Sequence, residues 1–155
     1  MSESELDFHR KMGEKCFNAA WDYFDKKRRD ANDEQQMLHL AHASRYHWTF
    51  VGTPRNLAVS DWQISRIYAA LNEPHLALHF AESSLGICEK KGLSDTLHTA
   101  YEAMARAHAI GRDNKAAQNY LDKAREQLDR LTGLDEEDRK IYEDQIRETE
   151  AMIGK

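Results

Sequence analysis

Histidine is the residue type in this 155-residue chain that most invites a chemical reading, with eight copies at positions 9, 39, 42, 47, 75, 79, 98 and 108. His39 and His42 stand three apart and His75 and His79 four apart, spacings that on a helix can turn two imidazoles toward one metal ion. Neither pair encloses the glutamate of a zinc-protease pattern, and no further ligands are evident beside them. Solvated or partly packed imidazoles are therefore the expectation, and no metal or cofactor is assigned. Cys16 and Cys88 are too few for a disulfide framework and too far apart for a CxxC site, so both read as reduced and structural. No Ser or Cys nucleophile with a recognisable activating partner accompanies His47, which leaves no residue assigned to catalysis. The rival reading is a small enzyme or metal-binding protein that uses His47, His98 or His108 with Glu102.

Arginine gives a second pattern. Arg66 lies one helical turn beyond Trp62, and Arg106 one turn beyond Glu102, so each pair shares a helix face. Two convergent guanidinium groups suit bidentate recognition of carboxylate or phosphate, and an adjacent tryptophan supplies a desolvated anchor. The alternative is internal: Glu102 neutralises both arginines and Trp62 packs between helices. Between Arg45 and Asn56 the chain is dense in unusual residues, with Tyr46, His47, Trp48 and Phe50 leading into Gly52-Thr53-Pro54-Arg55. That segment delivers a helix start whose free amides suit an anion, or else forms a packing cluster. It lacks the lysine and spaced glycines of a P-loop, so nucleotide binding is not supported.

Positioning such residues falls to helices. Hydrophobic residues make up 41% and charged residues 32%, with seven Gly and two Pro, a composition for one soluble domain with a single core. The net charge of −5 argues against a partner bound through phosphate counterion release, so no nucleic acid is expected. Lys26-Lys27-Arg28-Arg29 reads as the solvated C-terminal end of a helix, complementing its dipole. No apolar run approaches the length of a membrane span, and no secretory signal pattern opens the chain, which makes the cytoplasm the expected location.

A recurrence of 40 residues runs through the middle of the chain: Leu38-His39-Leu40-Ala41-His42-Ala43-Ser44 returns as Leu78-His79-Phe80-Ala81-Glu82-Ser83-Ser84. The same offset carries Leu57 to Leu97, Arg66 to Arg106, Ala69 to Ala109, Ala77 to Ala117 and Phe80 to Tyr120. Apolar spacing and cap residues divide each unit into two helices. Helices are predicted over residues 4–28, 34–49 behind an Asn32-Asp33 cap, 53–71 from Thr53-Pro54, 72–91 stopped by Gly92, 94–111, 113–131, and 135–153. The last, with Tyr142, Ile146, Thr149 and Ile153 as its inner stripe, reads as a capping helix. Residues 135–150 hold eight acidic and three basic side chains, an excess equal to that of the whole chain. A solvated cap face accounts for that charge, and an acidic partner-binding tail is the alternative.

Ile64-Ser65, Tyr68, Asn72, Ala77, Ala81, Ser84 and Leu85, followed by Met104-Ala105, His108, Ala117, Leu121 and Ala124, resemble the ordered large, small, aromatic and turn positions of the tetratricopeptide repeat (TPR). The resemblance covers residues 34–131. His108 stands where an aromatic is usual, and Arg112-Asp113 replaces the turn. A 40-residue period, against about 34 in the commonest form, resembles the longer-helix variety of bacterial peptide-sensing regulators and motor light chains. Residues 44–58 also resemble a group of small bacterial proteins without a known activity. The resemblance implies an all-α fold: a right-handed α-α superhelix of three TPR-like hairpins (about 4–50, 53–91 and 94–132) plus the capping helix, one domain over 1–155. It further implies a concave groove lined by Trp62, Arg66, Tyr101, Glu102 and Arg106, with His47 and Arg55 closing one edge. The function implied is a non-catalytic module for a peptide, a protein segment or a small anionic ligand, with a peptide-sensing regulatory domain as a variant and a homodimer as a further partner state.

Overall fold

Cap chemistry sets the element boundaries. The structure, a computed structural model, describes residues 1–154 and holds seven helices and no strand among them: α1 (Glu3–Phe24), α2 (Ala31–Val51), α3 (Pro54–Ala70), α4 (Pro74–Lys91), α5 (Leu97–Ile110), α6 (Asn114–Arg130) and α7 (Glu136–Met152). Thr53 accepts from the Asn56 amide ahead of Pro54, Gly92 ends α4 in the left-handed conformation with φ 64°, and Asp135 accepts from the Asp138 amide to start α7. No described helix is long and apolar enough to cross a membrane.

Three boundaries differ from the sequence expectation. Helix α1 ends at Phe24 rather than 28, because the Arg29 guanidinium folds back and donates to the Phe24 carbonyl at 2.7 Å. The basic run therefore forms the linker, where Lys26 pairs with Asp33 at 2.8 Å. Helix α2 starts at Ala31, since Asp30 and Asp33 form a reciprocal capping box. Helix α5 starts at Leu97 rather than Ser94, because Thr96 turns its hydroxyl to the Leu93 carbonyl and the Cys88 thiol instead of capping the next turn.

Consecutive helices pack side by side as α1 with α2, α3 with α4 and α5 with α6, and α4 and α3 both reach α5. The 40-residue recurrence returns in the contacts. Asn72 and Arg112 both adopt positive φ, at 58° and 65°. In each turn the following amide donates 2.9 Å back to a carbonyl, Glu73 to Tyr68 and Asp113 to His108. Tyr68 stacks on Phe80 at 18°, and His108 on Tyr120 at 4°, so the imidazole fills the aromatic place. Ser44 donates to the Gly13 carbonyl at 2.7 Å and Ser84 to that of Ala58 at 2.8 Å, each tying the second helix of a pair to the first.

Small residues let the helices approach. Ala58, Ala77, Ala81, Ala100, Ala105, Ala117 and Ala124 are all at most 1% exposed, interleaved with Met37, Ile64, Ile67, Leu121 and Leu128. Between α1 and α2 the glycine admits a ring: a Cβ on Gly13 would stand 2.6 Å from the Trp48 indole. Gly13→Ala is therefore expected to destabilise the fold by about 1–3 kcal/mol through overpacking. Thermal unfolding followed by circular dichroism measures it, and an unchanged midpoint would mean that the indole shifts freely.

Candidate functional site

Helix α3 presents Arg55, Val59, Trp62 and Arg66 at three- and four-residue steps, and α5 presents Glu102 and Arg106 one turn apart. The two arginines converge. The Nη2 of Arg66 and the Nη2 of Arg106 each donate to the same Oε2 of Glu148 on α7, both at 3.3 Å. Arg106 also donates from Nε to Glu102 Oε1 at 3.0 Å, and Thr149 on α7 donates to that oxygen at 2.5 Å. Glu102 and Arg106 are 2% and 7% exposed. Glu102 thus pairs directly with Arg106 and not with Arg66, and α7 supplies the carboxylate that bridges the two arginines. Burial, and then the neighbouring Arg106 guanidinium, pull the Arg66 guanidinium below its ordinary pKa, against the opposing pull of Glu102 and Glu148.

Beside this cluster lies an open pocket of about 270 Å³ lined by Trp21, Phe24, Asp25, Trp62, Arg66 and Gln145. Its aromatic wall is braced by edge contacts of Trp21 with Trp62 at 5.6 Å and with Phe24 at 5.1 Å. The Arg66 guanidinium lies 5.7 Å from the centre of the Phe24 ring. Two donors among these lining residues, Trp62 Nε1 and Arg66 Nη1, are buried and have no acceptor. The same rim carries the Asp25 carboxylate and the Gln145 amide.

Trp62, Arg66, Glu102 and Arg106 are therefore brought together, and the other candidates are not. Tyr101 faces α6, against Tyr120 with Lys123 over its ring. Arg55 sits among residues lining two further pockets of about 210 and 390 Å³, paired with Asp95 at 2.8 Å to each carboxylate oxygen, and that pairing raises its pKa. His47 meets His9 of α1 rather than any arginine, with the two Nδ1 atoms 2.8 Å apart. His98 is 2% exposed against Tyr142, and His108 stacks on Tyr120. The three histidines of the enzyme reading thus occupy three separate environments. No group of three or more His, Cys, Asp or Glu side chains is placed to hold a metal among the described residues.

Sequence reasoning missed Glu148, Gln145, Trp21 and Phe24. Trp21 is five residues short of the basic linker, in a helix from which no site residue was assigned. Glu148 adjoins Thr149 of the predicted inner stripe, and the signal for it was two arginines at equivalent places with only one acid near them. Comparison with protein-family models, with curated proteins and with solved structures finds no match to this chain.

Proposed function

We propose that this chain is a non-catalytic interaction module of the TPR type, a right-handed superhelix of three hairpins closed by α7, whose concave face receives a carboxylate-bearing peptide or protein segment. The observation that carries this reading is α7 itself. A helix of acidic excess already lies on the arginine pair through Glu148, and an acidic side chain from a partner would take the same place. The pocket next to it offers the rest of the recognition: aromatic area from Trp21 and Trp62, and the amide of Gln145. Charge complementarity supports an acidic segment over a basic one at the arginine pair itself, where two guanidinium groups share one exposed carboxylate. A small anionic ligand would use the same groups. The cytoplasm is the proposed setting, with neither nucleic acid nor membrane as a partner.

The test is a calorimetric titration of hexaglutamate, and of a peptide with the sequence of residues 135–153, into the protein. Arg66→Ala is expected to weaken binding by roughly 10- to 100-fold, the worth of a charge-assisted hydrogen bond. Glu148→Ala is expected to strengthen binding, because it removes the internal competitor while leaving both guanidinium groups. Saturable binding that is insensitive to both substitutions, or none at all, would overturn the proposal. Far-UV circular dichroism on each variant confirms that the helices are intact.

A further inference from the structure

Between α1 and α2 the fold joins two histidines that lie 38 residues apart in sequence. The Trp48 indole packs onto Gly13, where a Cβ would stand 2.6 Å from the ring. His9 lies one turn before Gly13 and His47 directly precedes Trp48, so the same approach presses the two imidazoles together. Their rings are confined from the sides: His9 stacks on Phe50 at 4.4 Å and 26°, and His47 meets Phe8 edge-on at 5.9 Å. Both rings stay partly open to solvent, within a patch where Phe8, Tyr46 and Phe50 are 55%, 61% and 38% exposed.

We propose that His9 and His47 form a two-imidazole chelate for a late first-row transition-metal ion, with the two Nδ1 atoms as ligands and water in the remaining positions. In the neutral tautomer pair, one ring donates its Nδ1 proton to the Nδ1 lone pair of the other. On binding, the donor ring carries its proton on its own Nε2 instead. No net proton is released, and a rotation of each ring aims both lone pairs at one point. Metal–nitrogen bonds of about 2.0–2.1 Å drawn across the 2.8 Å separation meet at roughly 85–90°. That is the cis angle of square-planar and octahedral ions, which places Cu(II) and Ni(II) ahead of tetrahedral zinc. Glu5, one turn before His9, is turned back onto the Ser2 amide at 2.7 Å and supplies no third ligand. The helical pair His75 and His79 is exposed on α4, where no short contact between the two rings holds them together.

The experiment titrates Ni²⁺ and Cu²⁺ by calorimetry into chelator-stripped protein without a histidine tag, in a non-coordinating buffer. One ion per chain is expected, and either His9→Ala or His47→Gln should weaken it by about tenfold or more. The control His75→Ala/His79→Ala should leave it unchanged. On the native chain, Ni²⁺ is also expected to broaden the ring-proton resonances of His9 and His47 before those of the other histidines, a readout that needs no variant to fold. Absence of saturable binding, equal loss in the control, or broadening centred on another histidine would overturn the assignment.

Discussion

Arg106→Ala is expected to cost the fold about 3–5 kcal/mol, the range for breaking a buried ion pair from one side. The side chains of Arg106 and Glu102 are 8% and 3% exposed, and Glu102 has only the Thr149 hydroxyl left when the guanidinium is gone. The stranded carboxylate must then ionise in a dry site or take up a proton. Glu148→Ala, by contrast, removes a contact whose acid side chain is 56% exposed, and should cost under about 1 kcal/mol. The double change Glu102→Gln/Arg106→Met removes both charges of this pair and is expected to recover most of the loss. Urea denaturation measures all three, through midpoints read at constant slope. A loss of less than about 1 kcal/mol in Arg106→Ala would mean that water enters the cluster freely.

Acidification should destabilise the protein through His98. Burial between α5 and Tyr142 pushes its imidazole down to about 4, and its Nε2 has no partner. The folded state therefore holds this ring neutral at pH values where the unfolded chain, at its ordinary 6.5, takes up a proton. The contribution is complete above pH 6.5 and declines as the pH falls from there toward 4. The gap between the two values amounts to about 3 kcal/mol at the acid end of that window. His42 and His47, both lowered chiefly by burial, add a slope of the same sign. Melting temperatures from pH 7.5 to 4.5 are expected to fall steeply in the native chain and less steeply in His98→Phe. Parallel curves would show that the ring is protonated in the folded protein.

The helices were readable because their ends carry local chemistry. Thr53-Pro54, Gly92, Asp113 and Asp135 act on amides and carbonyls within one turn, and no distant contact alters them. Two of the three misplaced ends are decided across a linker: Arg29 reaches back to Phe24, and Thr96 reaches back to Leu93 and Cys88. The site divides in the same way. Convergence of Arg66 and Arg106 follows from their equivalent places in a 40-residue recurrence. Tyr101 was grouped with them, but it adjoins Glu102 in sequence and so projects about 100° away around the helix, toward α6. Glu148 is set by how α7 crosses the other helices, and no spacing within α7 encodes that crossing. The partnership of His9 with His47 is hidden for a related reason. It depends on a glycine and a tryptophan on facing helices, neither of which is itself a ligand.

Arg66 and Glu148 are 82 positions apart, and their contact joins α3 directly to α7, past the pair that separates them in sequence. A row of repeats that touch only their neighbours can lose its ends one unit at a time. Here the final segment grips an earlier member of the row, so peeling it away also uncovers charge in the middle of the molecule. Lifting that segment also takes the Thr149 hydroxyl away from the Glu102 carboxylate, so its release is resisted by a buried contact more than by the exposed acid of its most acidic stretch.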